Sequence, residues 1–135
     1  MLGVESKRSG FAAWYRNPTG GQRALRIPYD TSGGYGRLYP DFIVVHAGQA
    51  GELRASIVDP HGQHLADAAD KLRGLAEYAV KHGEAYARII GVICNREDEY
   101  RMLDLKDGTI RAALAGVNSQ DEVEKVFAQH GSVYG

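Results

Sequence analysis

Features that define several protein classes are missing from this chain of 135 residues. Cys94 is its only cysteine, which excludes a disulfide framework and leads us to expect an intracellular, cytoplasmic setting. No apolar run reaches the roughly eighteen residues of a membrane-spanning helix, and no charged-then-apolar leader is visible. The motifs GxGxxG and GxxxxGK(S/T) are also absent, which argues against hydride transfer and against ATP hydrolysis by this chain.

The composition fits one globular domain spanning residues 1–135. Hydrophobic residues make up 44% of the chain, which is enough for a core. The net charge of −1 is unevenly spread: residues 1–40 hold six basic and two acidic residues, which gives +4, so the remainder carries −5. A basic segment beside an acidic site suits a polyanionic substrate, although a solvated surface is the plainer interpretation.

Apolar periodicity predicts an α/β fold. Residues 11–15 form an apolar entry segment, and residues 30–36 a turn or loop rich in glycine. We predict strands at 24–29, around 41–45 and around 55–59, a helix at 64–82, strands at 86–93 and 100–105, and a helix at 120–130. Ser119 is the expected N-cap of the last helix, with Glu122 completing a capping box. This order predicts a mixed central β-sheet flanked by helices.

Two acidic residues are placed at the ends of neighbouring predicted strands. Asp41 enters an apolar strand, and Asp59 leaves the next one in the segment Ile57-Val58-Asp59-Pro60-His61. A hairpin centred near Ala50 sets the two acids opposite each other, with Cβ atoms roughly 4.5–5.5 Å apart. His61 falls on the same face as Asp59 because side chains alternate along a strand. Both carboxylates could then reach one ion, so the pair predicts a divalent-metal site.

These segments resemble the PD-(D/E)XK nuclease superfamily, in which an Asp after Pro begins one strand, a second acid ends the next and a long helix follows. More narrowly, the segments 14–18, 27–29, 39–44 and 59–62 are similar to the nuclease-like C-terminal domain of type III restriction-like DEAD/DEAH helicases. The similarity spans most of residues 11–95. It implies a restriction-endonuclease-like core, DNA as the substrate, and a helicase or ATPase domain as a partner in the parent chain or complex.

The resemblance also implies the roles of individual residues. Asp41 and Asp59 would be the metal-binding carboxylates, and the backbone carbonyl of Pro60 a third ligand. Hard oxygen ligands of this kind suit Mg²⁺ or Mn²⁺, which would position a water for attack on a phosphodiester. The implied activity is metal-dependent hydrolysis of DNA.

One position departs from the family pattern. His61 stands where the motif has lysine, and Asp59 where it most often has glutamate. A histidine with an ordinary pKa of about 6.5 could serve as a general base or ligand, but it is a weaker cation than lysine. Two hypotheses therefore stay open: a metal-dependent DNA endonuclease-like domain with Asp41, Asp59 and His61 as catalytic residues, or a degraded nuclease fold that binds DNA or docks other domains. A free-standing small-molecule hydrolase has only the metal-site argument in its favour.

Two residues of the predicted long helix are auxiliary candidates. Lys71 lies seven residues after His64 and so on nearly the same helical face, from which it could restore the missing charge. The plainer interpretation is a solvated helix lysine. His64 could instead join Asp59 and His61 in a site for Mn²⁺ or Zn²⁺, or it could simply be a turn residue.

Further candidates depend on weaker signals. Gln63 could contact substrate, and Glu5 could supply another acid from a preceding helix. Trp14 and Tyr15 could stack on a base, although we expect both to pack in the core. Basic or polar residues are the candidates for contact with DNA: Arg16, Asn17 and Arg26. Asn17, which precedes Pro18, is equally a turn-forming residue.

Overall fold

The structure is a computed structural model that describes residues 5, 7, 10–18, 20, 22, 24–31, 34–48, 50–61, 68–95 and 98–134. The elements within these ranges are β1 (Phe11–Arg16), β2 (Ile27–Thr31), β3 (Gly34–Leu38), β4 (Phe42–Ala47), β5 (Leu53–His61), α1 (Ala68–His82), a 3-10 turn (Gly83–Ala85), β6 (Tyr86–Cys94), β7 (Tyr100–Asp104), α2 (Gly108–Leu114), α3 (Gln120–His130) and β8 (Ser132–Val133). None of the helices in these ranges is long and apolar enough to cross a membrane.

The described residues form a central sheet in the order β1-β4-β5-β6-β7-β8. Neighbouring strands are antiparallel except β5 and β6, which run parallel. Parallel neighbours need a long crossover, and α1 lies between these two strands in the chain. The predicted mixed sheet with flanking helices is confirmed at this level.

The register of the β4–β5 hairpin matches the expectation from the sequence. Phe42 pairs with Val58 and Ile43 with Ile57. One further step along the two strands sets Asp41 opposite Asp59. Ile57 joins the larger apolar cluster and Val58 the smaller one on the other face, so both faces of the hairpin are covered.

The described helices pack on one face of the sheet, where their apolar side chains form the larger cluster. Residues of all three described helices join Ile57 and Ile89 there, among them Leu72 of α1, Ile110 of α2 and Phe127 of α3. The smaller cluster on the opposite face consists of Val44, Val58, Ile90, Val92 and Tyr134. The end of β5 that carries Asp59 therefore faces the helical layer.

The N-terminal third differs from the prediction. Phe11–Arg16 is an edge strand of the central sheet rather than an entry segment, whereas Ile27–Thr31 pairs only with β3 in a separate two-stranded sheet. Most of β1 is exposed, so no apolar alternation marks it as a strand. The described residues of the segment predicted as a loop at 30–36 belong instead to β2, which ends at Thr31, and to β3, which begins at Gly34. The β2 side chains Ile27 and Tyr29 pack in the larger apolar cluster with α1 rather than on a neighbouring central strand.

The sequence predicts helix α3 correctly but does not predict helix α2. Helix α3 has the predicted bounds, and Ser119 Oγ accepts a hydrogen bond from the Glu122 N–H at 3.2 Å. Helix α2 was not predicted, although Asp107 caps it by accepting from the Thr109 N–H at 2.8 Å. The short apolar pattern of α2 explains the omission, since seven residues give little periodicity.

Gly74 of α1 sets how closely the β2–β3 hairpin packs. A Cβ at this position would lie 2.4 Å from the Cβ of Tyr29, so Gly74→Ala must push the hairpin away. We expect the free energy of unfolding to fall by about 1–3 kcal/mol, despite the better helix propensity of alanine. Urea denaturation measures this. Gly116→Ala is the matched control because nothing lies within 4 Å of its Cβ; equal effects of the two substitutions would contradict the packing described.

Candidate functional site

The two acids lie together at one end of the β4–β5 pair. Asp41 immediately precedes β4, and Asp59 stands two residues before the end of β5. The backbone N–H of Asp41 donates to Oδ1 of Asp59 at 3.1 Å. Asp59 is only 4% exposed, whereas Asp41 is half-buried. The hydrogen bond holds the buried carboxylate against the start of β4, and the two acidic residues are therefore neighbours as predicted.

Burial and like charge both act on Asp41. Burial raises the pKa of this carboxyl above its usual 3.8, and the negative charge of Asp59 raises it further. The charges of Arg16, His61 and Lys71 lower the same pKa. These three residues come from β1, β5 and α1, so basic groups from three elements surround the acid pair. A bound cation would relieve the repulsion between the two carboxylates.

His61 lies beside Asp59 without a good hydrogen bond. Its Nε2 is 3.2 Å from Oδ2 of Asp59, and its side chain is 8% exposed. The approach is poorly angled, and no residue that the structure describes forms a hydrogen bond with this buried nitrogen. Buried polar atoms usually have a partner. The unsatisfied Nε2 is therefore a candidate ligand or base at the site.

Lys71 of the long helix lies near the acid pair, and its auxiliary role stays a prediction. Lys71 is half-buried in the first turn of α1, and its charge reaches Asp41. Gln63 and His64 lie outside the described residues, so their proposed roles stay predictions. Arg26 is exposed and is not one of the charges that act on Asp41.

Glu5 is not brought to the acid pair. Its fully buried carboxylate accepts hydrogen bonds from the Arg88 guanidinium and the Tyr134 hydroxyl. Tyr134 packs in the smaller cluster, whereas Asp59 lies on the opposite face together with Ile57. The expectation of a further acid at the site is corrected, because Glu5 pairs with Arg88 on the face of the sheet opposite to Asp59.

Asn17 makes structural contacts, and its contact with DNA stays a prediction. Its amide nitrogen donates to the Leu25 carbonyl at 2.8 Å, and its amide oxygen accepts from the Leu25 N–H at 2.7 Å. The residue is 3% exposed, and its own N–H donates to the Asp41 carbonyl at 2.9 Å. Asn17 therefore ties the chain before β2 to the entry of β4.

The aromatic residues of β1 are more exposed than expected. Trp14 is 49% and Tyr15 is 45% exposed, so the prediction that both pack in the core is wrong. Trp14 meets the ring of Phe42 edge-on, with centroids 6.0 Å apart. The two aromatics and Arg16 are consecutive on the edge strand next to β4.

The donor set fits a hard divalent ion held by few protein ligands. Among the described residues, no group of three or more His, Cys, Asp or Glu side chains could hold a metal ion. Two carboxylates remain, with the Pro60 carbonyl as the next main-chain oxygen along β5. Mg²⁺ usually keeps several waters and binds through one or two carboxylates, so this small set is compatible with it. A site for Zn²⁺ that needs His64 stays a prediction.

Comparison with known proteins identifies the family. The sequence pattern of the YagJ family matches residues 1–135. This chain belongs to the YagJ family. Protein YagJ of Escherichia coli (strain K12) is 46% identical over 126 residues, which are 93% of this chain and 50% of that protein. The chain thus spans half the length of this curated relative. No solved structure matches the chain.

The coupling between the two acids can be measured directly. Asp59→Asn removes the like charge, so the pKa of Asp41 should fall, while burial keeps it above 3.8. NMR titration of the Asp41 carboxyl carbon measures the change. Asp121→Asn, on the exposed start of α3, should leave the Asp41 pKa unaltered.

The sign of the linked effect on stability follows from the raised pKa. The folded state binds the Asp41 proton more tightly than the unfolded state, so ionised Asp41 disfavours folding above its folded-state pKa. This penalty is relieved as the pH falls through that value. An Asp41 pKa that is unchanged or higher in Asp59→Asn would show that the two carboxylates do not interact.

Proposed function

We propose that this chain is a nuclease-like domain of the PD-(D/E)XK type, which hydrolyses phosphodiester bonds of DNA with Mg²⁺ or Mn²⁺. The observation that carries the proposal is the acid pair: Asp41 and Asp59 adjoin each other, and Asp59 raises the pKa of Asp41. A buried carboxylate beside a half-buried one destabilises a fold, and such unfavourable groups are typical of functional sites.

The order of elements around the pair supports the proposal. Asp41 follows Pro40 and opens β4, Asp59 stands near the end of β5, and α1 follows before the parallel strand β6. This is the arrangement on which the resemblance to the nuclease superfamily depends: an acid that begins one strand, an acid that ends the next, and a long helix beyond. The restriction-endonuclease-like core is thus part of the proposal.

Each residue has a distinct role in the proposed reaction. Asp41, Asp59 and the Pro60 carbonyl would hold the ion, which supplies a more acidic water and a positive charge beside the scissile phosphate. Lys71 provides the fixed cation that the family motif has at the position of His61. The unsatisfied Nε2 of His61 accepts the proton of the attacking water.

The edge strand β1 is the proposed contact with DNA. Arg16 lies close enough to Asp41 to lower its pKa, so it can meet a phosphate next to the reacting one. Trp14 and Tyr15 expose about half of their surface beside it, and exposed aromatic rings stack on unpaired bases. A strand-separating helicase or ATPase domain, in the parent chain or complex, is the proposed partner.

A second candidate function is a DNA-binding or docking module without catalysis. The observation that favours it is the histidine at the lysine position, together with the lack of a three-residue metal group in the described part of the chain. This candidate keeps the basic and aromatic contacts of β1 and loses the chemistry at the acid pair.

Nicking of supercoiled plasmid DNA separates the two candidates. With Mg²⁺ or Mn²⁺ we expect the wild-type chain to nick DNA, and Asp41→Asn or Asp59→Asn to lower the rate about 100-fold or more, because the ion loses a ligand. Lys71→Met should lower it at least about 10-fold through lost charge stabilisation. Lys125→Met, an exposed change on α3, is the control and should leave the rate unaltered.

The outcomes of this assay are distinct. A wild-type chain that binds DNA but stays silent with both ions supports the second candidate. Nicking that survives Asp41→Asn and Asp59→Asn contradicts the assignment of the site. A chain that neither binds nor cleaves DNA contradicts both candidates.

A further inference from the structure

We propose that a basic cavity, away from the acid pair, binds a small ligand carrying one or more phosphate groups. The cavity has a volume of about 470 Å³ and lies where the last turn of α1 and the turn Gly83–Ala85 meet the segment that follows β7. Cavities of a few hundred cubic ångströms are the usual size for small-molecule ligands.

The charge of the lining is strongly one-sided. Four basic residues line the cavity, namely Lys81, His82, Lys106 and Arg111, against the single acid Glu84. None of the four forms an ion pair with a carboxylate of the described residues. Positive charge that exceeds the single carboxylate of the lining, and that forms no ion pair with it, attracts an anion.

Two of the cations are held in place by backbone groups. Lys106 Nζ donates to the Tyr86 carbonyl at 2.8 Å, and Arg111 Nη1 donates to the Leu105 carbonyl at 3.1 Å. Each bond uses one donor, which leaves two N–H groups on the ammonium and four on the guanidinium. Positioned donors of this kind suit phosphate oxygens, which a guanidinium can bind with two parallel hydrogen bonds.

The helix dipole does not account for the whole cluster. Lys81 and His82 lie in the last turn of α1, where cations stabilise the C-terminal end of a helix. Arg111 lies in the last turn of its own helix α2. Lys106 lies between β7 and α2 and has no such relation to a helix, and both residues come from a different part of the chain than α1. Their convergence on the same cavity is what indicates a ligand.

This cavity is separate from the acid pair. The turn Gly83–Ala85 leads directly into β6 at Tyr86, whereas Asp59 pairs with Gly91 of the same strand. Gly91 lies five positions beyond Tyr86 along β6, which is about 16 Å. The proposal is therefore independent of the nuclease-like function, and an Asp59→Asn variant should retain the ligand.

Isothermal titration calorimetry with ADP and with inorganic phosphate, at about 50 mM salt, tests the site because screening is moderate there. We expect saturable binding of one ADP, which Lys81→Gln and Arg111→Gln each weaken about 10-fold. Lys81 is exposed and has no hydrogen bond or ion pair among the described residues, so its substitution leaves the fold intact. Lys125→Gln is the control for net charge and should bind ADP as the wild type does.

Amide shifts in NMR spectra locate the bound ADP. Shifts confined to residues 79–85 and 106–111 support the proposal. No saturable binding of ADP or phosphate overturns it, as does equal weakening by Lys125→Gln or a response centred on β1. Binding of an oligonucleotide at this cavity with no binding of ADP would also overturn it, since the basic residues would then serve DNA.

Discussion

The candidate site depends on the register of the β4–β5 hairpin. Side chains alternate along a strand, so a slip of one residue would turn Asp59 toward the face that now holds Val58. Ile57 and Val58 are both fully buried in opposite clusters, which fixes this register from both faces. The hydrogen bond from the Asp41 N–H to Asp59 links the two strands at the end of the hairpin that carries the acids. One packing constraint therefore brings together two carboxylates that lie 18 positions apart.

The ionised acid pair lowers the free energy of unfolding, and the packing of the rest of the fold offsets this loss. The raised pKa of Asp41 means that its ionised form is disfavoured by burial and by its neighbour. Arg16, His61 and Lys71 reduce this penalty without removing it. On the opposite face of the sheet, the buried carboxylate of Glu5 is stabilised by direct hydrogen bonds from Arg88 and Tyr134. The Glu5 carboxylate therefore has cationic and hydroxyl partners within the protein, whereas the acid pair has one backbone hydrogen bond and is proposed to bind a cation.

The sequence predicts the parts of the fold that local patterns determine. The hairpin register follows from the two glycines in the connection between two apolar strands, and α3 follows from its capping residues. The edge strand β1 could not be recognised, because its exposed side chains carry no alternation. The hydrogen-bond partners of Glu5 and Asn17 cannot be predicted from the sequence because tertiary packing determines them: Tyr134 is 129 positions from Glu5. The basic cavity likewise joins residues from separate elements, and no motif in the sequence marks it.

Crystals grown with Mn²⁺ test the central claim, that Asp41 and Asp59 form one cation site. The account predicts a single anomalous peak within about 2.0–2.3 Å of carboxylate oxygens of both residues and near the Pro60 carbonyl, with waters completing the shell. A chain saturated with Mn²⁺ that binds the ion elsewhere, or that leaves these two carboxylates without any ion, would contradict it.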